Sequence, residues 1–562
     1  MLTPLEAQEI VDAHDMYWDS ARPRLRELRA LYMTNFWKDR EKLQANSTVL
    51  RTEVPKAYAV VESYLGSLFA KNPAVMVQDD LRKRGNPEVA EATANQYLLT
   101  IREQLEDATR LSLIYPCSFI KLAPVENVDP LKRVACTALA PWEVVVDATA
   151  GSWEQQRFVG HSYLVPVHEA AERYGKREDE FNGRPYSKWI DRTDMSGQSA
   201  VQRDTGVDTT DQWCRVVELY DLRSDELLVW SPDYEQGKQF VFEGVQVQVG
   251  ALDEDAGADT ETPDAEIVHE TAGIPFKTAS GRPVVPIIPV YLSRDPDTPL
   301  RGYSLLDRSF DQFRELNVLR TYQSQGVRRM ARQWMVRSGF LDEVATTKIG
   351  QGADGEFIEV DLPPGSTLEG NIIPVPNSPI PADISLYAQT VTADINDAGL
   401  MAPFTRGEVT GTTATEQRLL ADYTSSEVGR MARTRDEVIS EVARVYNIML
   451  SVLLGDEAEP LALPNPVGPT MLSADDLTGD FQYWAVDAGS TPMGDEVKRQ
   501  SLERLAPVLV QLGADPKLIL EELVRTYDLP QTLADVELPQ PIEPTPEQGA
   551  PLPPTALPFP GV

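Results

Sequence analysis

The spacing of apolar positions divides the chain into a helical opening, a strand-rich middle and a second helical half. Residues 4 to 45 predict two helices divided near Pro23. The stretch "VPKAYAVVESYLGSLFAKNP" predicts another, with Val61, Tyr64, Leu65, Leu68 and Phe69 on one face. In "NPEVAEATANQYLLTIREQLEDATRLSLIY", Asn86 stands as N-cap and Pro87 at the first helical position, and Ala90, Ala94, Tyr97, Ile101, Leu105 and Ala108 line one side.

The period then changes to that of strands. "SFIKLAPV", "RVACTALA", "WEVVVDAT" and "RFVGHSYLV" are short runs of β-branched and aromatic residues, and "WCRVVELYDLRSDELLVW" with "KQFVFEGVQVQVG" predicts further sheet in hairpins. "PVHEAAERYG" is a brief helix among them. The polar stretches 191–211 and 253–266 cannot build a core and are expected to be surface loops.

Helical spacing returns in "SLLDRSFDQFRELNVLRTYQSQGVRRM", where Leu306, Phe310, Phe313, Leu316, Leu319 and Tyr322 step three or four residues at a time. A Gly- and Pro-rich segment and a helix "DISLYAQTVTADINDAGL" lead to about forty residues without proline. Thr413 and Glu416 have the spacing of a capping box at its start. From Thr413 to Leu454 this helix would reach about 60 Å. Leu419, Leu420, Tyr423, Met431, Val438, Val442, Val445, Met449 and Val452 form a discontinuous apolar stripe; Arg418, Arg430, Arg433, Arg435 and Arg444 alternate with acidic residues elsewhere. Beyond Gly455 come short strands, a helix pair around 495–527 and a tail with nine prolines in its last 24 residues, which predicts polyproline II or disorder.

Charge sharpens this picture. The 562 residues, enough for several subdomains, carry 87 acidic and 52 basic side chains, a formal balance of -35. That argues against coating nucleic acid through a broad basic face, though not against letting DNA slide past. The segment 301–337 runs against this sign, with Arg301, Arg308, Arg314, Arg320, Arg328, Arg329, Arg332 and Arg337 facing only Asp307, Asp311 and Glu315. Three well-separated cysteines offer neither a disulfide framework nor a zinc site; the amino terminus lacks the pattern of a signal peptide, and no run is long and apolar enough for a transmembrane helix, so a soluble cytoplasmic protein is expected.

Catalytic chemistry finds little support. "HEAAE" begins like a zinc-hydrolase motif at His168 and Glu169, but Glu172 stands where the second histidine is required. No phosphate-binding loop or nucleophile elbow occurs. His14, His161, His168 and His269 are scattered, and each reads as a surface or strand residue. Asp253, Asp255 and Asp259 depart from calcium-loop spacing. No enzyme, cofactor or metal is expected.

The order of segments is more telling than any one of them. A helical amino-terminal region, a strand-rich region, "RGYSLLDRSFDQFRELN", a compact Gly-rich insert, a second helix, "DAGLMAPFTRGEVTGTTATEQ" and a long helix together resemble the portal protein, or head-to-tail connector, of tailed double-stranded DNA bacteriophages. The resemblance spans about residues 50 to 530; its best local signals are Gly302, Ser304 and Leu305 before one helix and Gly411 to Glu416 before the other. It implies an α+β portal fold: a wing over 1–300 with return strands at 455–492, stem helices at 301–327 and 381–400, a small α/β clip at 328–380, a tunnel loop at 401–412, the long helix at 413–454, crown helices at 493–530 and a proline-rich tail at 531–562.

What the resemblance implies functionally is a structural ring, typically a dodecamer, at the capsid portal vertex of the virion, assembled in the host cytoplasm. Double-stranded DNA would pass through it during packaging and ejection. Its partners would be terminase, head-tail adaptor and tail proteins, and major capsid and scaffolding proteins, with no membrane. Phe404, Thr405, Arg406, Glu408 and Thr410 would be the tunnel-loop residues facing DNA, and Arg320, Arg328, Arg329, Arg332 and Arg337 the basic positions of stem and clip. The duller reading of those arginines is salt bridges between neighbouring stem helices. An acidic channel wall would keep phosphates from sticking. The competing classes are another non-enzymatic virion protein, such as a minor head or adaptor protein, and an acidic enzyme.

Overall fold

The computed structural model describes residues 2, 4–37, 51–78, 84–127, 129–186, 189–191, 212–234, 239–242, 245–248, 273–295, 302–330, 334–336, 372–374, 382–398, 414–454, 458–463 and 469–486. The fold is α+β.

Helix α1 (Pro4–Tyr32) runs unbroken through Pro23, where the sequence predicts two helices. A proline inside a helix costs about 3 kcal/mol, and packing on both sides of it offsets that. Ala7 and Val11 pack with Val145, Phe158, Val217, Leu219 and Trp230; Trp18, Leu25, Leu28 and Leu31 enter the main core. Helices α2 (Lys56–Leu68), α3 (Pro87–Thr100) and α4 (Arg102–Ile114) follow, joined across α3 and α4 by a kink at Ile101. Thr100 donates its hydroxyl to Tyr97 O at 2.7 Å next to that kink. Asn86 caps α3 by accepting from the Glu88 amide at 3.2 Å, and all six residues predicted for the inner side, Ala90 through Ala108, are buried.

The strand-rich middle forms two sheets. Strands β2 (Ser118–Pro124), β3 (Val134–Leu139) and β11 (Ile287–Val290) make an antiparallel sheet in the order β11-β2-β3. A seven-stranded sheet is ordered β10-β9-β8-β7-β5-β4, from β4 (Val144–Val146), β5 (Phe158–Pro166), β7 (Gln212–Asp221), β8 (Glu226–Trp230), β9 (Gln239–Phe242) and β10 (Val245–Gln248), with β6 (Arg184–Pro185) also on β7. The long β5–β7 register, Phe158 opposite Asp221 through Pro166 opposite Trp213, is buried on both faces: Val159 and Tyr220 join the main core, Val217 and Leu219 pack with the start of α1, and Val165, Cys214 and Val216 form a further cluster. Helix α5 (Val167–Tyr174) ends at Gly175, whose φ of 61° suits a left-handed C-cap.

Further along stand α6 (Phe310–Met330), an antiparallel ribbon of β12 (Trp334–Val336) and β13 (Ile372–Pro374), and α7 (Ala382–Ala398). Helix α8 (Ala414–Leu454) comes next, then the hairpin β14 (Glu459–Ala462) with β15 (Pro469–Leu472), the short α9 (Ala474–Leu477) and β16 (Gln482–Val486). Strand β16 returns to pair antiparallel with β1 (Ala74–Gln78), joining two segments far apart in the sequence.

Helix α8 is the axis of the main core. Met431, Val442, Ala443, Val445, Tyr446, Met449 and Leu450 are fully buried, and Tyr446 stacks on Tyr97 of α3 at 3.7 Å. Buried Asn447 donates to Ala90 O at 2.9 Å and Tyr483 Oη at 2.8 Å, tying α8 to α3 and β16. Two sequence expectations fail here. Val452 is 47% exposed, and Arg435, assigned to the charged face, is 2% exposed. At about 100° per residue Arg435 lies only about 40° from Met431, in the middle of the buried sector, while Val452 falls beyond its edge. The Arg435 guanidinium donates to Leu68 O at the end of α2 and pairs with Asp436 at 2.6 Å.

Candidate functional site

The candidate site is the pair of helices α6 and α7 with the turn that anchors them. The chain enters through Gly302, whose φ is 58° and whose added Cβ would sit 2.3 Å from Ser293 O and 2.5 Å from Pro116 O. Only glycine fits there. Two residues on, fully buried Ser304 donates to Ile114 O at 2.7 Å and accepts from the Leu306 amide at 3.1 Å. It thus fastens the start of the helical segment to the end of α4. The motif "RGYS" therefore has a packing reason of its own. A 3-10 turn (Leu305–Ser309) then leads into α6.

On α6 the buried residues are Phe310, Phe313, Leu316, Asn317 and Thr321, with Leu306 below them. Asn317 accepts from the Val54 amide at 2.9 Å, and Thr321 accepts from the Thr52 amide at 3.0 Å, holding the extended segment before α2 against the helix. Tyr322, predicted on the inner stripe, is 62% exposed. Successive steps of three residues drift roughly 60° each around a helix, so the series 310, 313, 316, 319, 322 winds off the core and Thr321 takes the inward place. From Tyr322 to Val327 no described residue is buried.

Helix α7 packs along α6 through a narrow stripe, Ala388, Val391 and Ile395. Tyr387 donates to Glu315 at 2.8 Å and Gln323 to Ser385 at 3.4 Å across the two helices, and these links use no arginine. Four large apolar residues of the pair, Tyr322, Val327, Leu386 and Tyr387, remain exposed.

The predicted basic positions are only partly described. Arg320 is exposed and donates to Gln323 at 3.3 Å on its own helix. Arg308 donates to Tyr303 Oη at 2.6 Å, and Arg314 is 3.9 Å from Asp311. Arg24 of α1 pairs with Asp307 at 2.8 Å and covers the Phe310 ring, a contact no spacing rule anticipates. The side chains of Arg328 and Arg329 are not described, and Arg301, Arg332 and Arg337 lie outside the described residues. So do the tunnel-loop positions Phe404, Thr405, Arg406, Glu408 and Thr410, the capping residue Thr413, the acidic loops, the 495–527 helix pair and the proline-rich tail.

Among the described residues, the groups considered for catalysis sit on different elements; His269 lies outside the described residues. His168 is exposed on α5 beside Glu169, which pairs with Arg173 at 3.5 Å. His14 is a buried helix residue rather than a surface or strand one; its Nε2 donates to Val144 O of edge strand β4 at 3.0 Å. His161 lies in β5, stacked on Tyr163 and 2.9 Å from Lys121 Nζ; burial first and then the Lys121 charge hold its imidazole well below the usual histidine range. Lys121 in turn pairs with Glu218 at 2.6 Å, which also accepts from Tyr163 at 2.6 Å. This network joins the two sheets and leaves its groups mutually satisfied. Cys117, Cys136 and Cys214 are free thiols. Among the described residues no cluster of three or more histidines, cysteines or carboxylates could hold a metal, and no helix is long and apolar enough to cross a membrane.

No family model and no curated protein matches the sequence. A solved structure, the neck of an empty gene transfer agent particle computed with C6 symmetry, is similar over 85% of this chain and 91% of that one, at 13% identity and a TM-score of 0.38. A likeness at that level leaves the functional reading to the chain's own residues.

Proposed function

We propose that the chain is a portal protein, the ring subunit at the capsid vertex through which a tailed phage packages and ejects double-stranded DNA. The observation that carries this reading is the sequence of parts around the anchored helix pair. A turn locked by Gly302 and Ser304 sets α6 on the core; a ribbon and α7 follow; a short connection then feeds a 41-residue helix whose far half is the axis of the core. This is the segment order of the portal resemblance, with residues 401–412 between α7 and α8 in the sequence.

The exposed Tyr322, Val327, Leu386 and Tyr387 support assembly, since neighbouring copies of the pair would cover them. In such a ring α6 and α7 form the stem, and the connection at 401–412 faces the channel. Its Phe404, Arg406 and Glu408, with Gly407 and Gly411, combine compliance with few strong phosphate contacts. Terminase and the head-tail adaptor would dock at the ends of the ring. The overall charge of -35 favours DNA passing without adhering.

Deleting Pro403 to Thr410 tests the channel assignment. The variant is expected to fold and form rings but to impair packaging or retention of the genome, read as DNA content per particle in a complemented infection. Full, stably filled heads would overturn the assignment.

A further inference from the structure

A cavity of about 590 Å³ lies between α1, β5, β7 and the turns at 141–143 and 189–191, apart from the helix pair. It is lined by two aromatic pairs. Trp142 and Trp189 stack at 4.8 Å with 22° between their planes, and Tyr186 meets Trp213 at 4.8 Å. Its charges are already matched: Arg215 holds Asp15 at 2.5 Å, Arg22 pairs with Asp19, and Glu143 accepts from the Ala140 amide at 2.7 Å.

Two polar atoms of the lining are not matched. Trp213 Nε1 and Arg22 Nε are buried and have no hydrogen-bond partner among the described residues, and both are donors. No lining residue contributes a buried acceptor in the same condition. The cavity therefore favours a ligand that can accept hydrogen bonds from these two donors and has apolar faces to pack on indole and phenol rings. Nucleic acid is disfavoured by the charge of the chain.

A proline-rich chain has the required chemistry. Each proline supplies a carbonyl and no N–H, the extended polyproline II form is preorganised, and its rings pack into aromatic-lined grooves. We propose that this cavity binds an extended proline-rich peptide, whose carbonyls accept from Trp213 Nε1 and Arg22 Nε while its rings pack against Trp142, Tyr186 and Trp213; the Trp189 ring is already covered by Trp142 and the Arg22 guanidinium. A sequence of that kind is at hand in residues 539–562. It has nine prolines, Pro-x-x-Pro spacings at Pro541 with Pro544 and Pro551 with Pro554, and no lysine or arginine.

The test is calorimetric titration of the full-length protein whose own prolines in 539–562 are replaced by alanine, so that its tail does not compete, with a synthetic 539–562 peptide and with the same peptide carrying alanine for every proline. Saturable binding of the first, at least about tenfold tighter than the second, is expected from the preorganised form and ring packing. Trp213→Phe keeps a ring but removes the donor, and should weaken binding about fivefold, one hydrogen bond's worth, with the circular dichroism spectrum and Tm unchanged. Arg22→Lys, which keeps a cation for Asp19 but removes Nε, should weaken it similarly. Absence of saturation at millimolar peptide, equal binding of the two peptides, or unchanged affinity in both variants would overturn the proposal. Preferential uptake of an oligosaccharide would do the same. None of these readouts depends on ring formation or DNA packaging, so this proposal and the portal reading stand or fall separately.

Discussion

Gly302→Ala is the most informative single change, because one methyl group tests how the helix pair is set on the core. The substitution costs about 1–2 kcal/mol for a non-glycine residue in the left-handed region. In addition, the new Cβ would lie 2.3 Å and 2.5 Å from two main-chain oxygens, Ser293 O and Pro116 O. Neither belongs to a flexible side chain, so the relief must come from moving backbone, at about 1–3 kcal/mol typical of overpacking. The total is about 2–5 kcal/mol. Gly175→Ala is the matched control, since Gly175 has a φ of 61° but nothing within 4 Å of its would-be Cβ. It should lose only the conformational part, about 1–2 kcal/mol. Denaturant unfolding of both variants under one condition gives the difference directly. Equal losses would refute the packing account of "RGYS", and with it the claim that this turn positions α6.

Three further outcomes are expected. Arg435→Ala should cost about 2–5 kcal/mol, because it empties the space of a fully buried side chain and takes the guanidinium donor from Leu68 O, whereas Arg435→Met should recover much of that loss by restoring apolar volume; equal unfolding midpoints for the two would count against a core role. Phe313→Asp buries an unpaired charge among Leu306, Phe310 and Leu316 at several kcal/mol, so rings should fail, and unchanged sedimentation would argue against the stem assignment. Acid should destabilise the protein in two stages. His161 is held neutral in the fold, so stability falls as pH drops through about 6.5, where the unfolded histidine takes its proton first. A second fall comes between 3.8 and about 2 from two carboxyls. For Asp15, burial would raise the carboxyl, but hydrogen bonds and charge from His14 and Arg215 outweigh it; Asp147 is lowered chiefly by Arg157, against burial, with help from Thr149. A pH-stability curve flat from 7 to 3 would contradict both stages.

Much of the fold was legible because it depends on local periodicity. The short strands of β-branched and aromatic residues in the 118–166 block and the capped start of α3 follow from pattern alone. The misreadings share a cause, which is that tertiary contact decides what a local rule leaves open. Pro23 reads as a break, yet packing before and after it keeps α1 whole. Arg435 reads by its charge as lying off the apolar stripe, yet its angular position points inward. Steps of three put Tyr322 on the inner stripe, but their drift carries it off the core. Gly302 and Ser304 were noticed as a motif, but the carbonyls of residues 114, 116 and 293 that explain them come from distant segments. The aromatic cavity left no linear signal, since Trp142, Trp189 and Trp213 come from three separate elements.

The central claim, that this chain assembles into a ring with an open channel, is tested most directly by electron microscopy of the purified full-length protein, reconstructed with symmetry left free. The account predicts annular particles of cyclic symmetry, with α6 and α7 of each copy packed against those of its neighbours and residues 401–412 turned toward the lumen. A monodisperse monomer, or a closed assembly in which Tyr322, Val327, Leu386 and Tyr387 stay exposed, would contradict it.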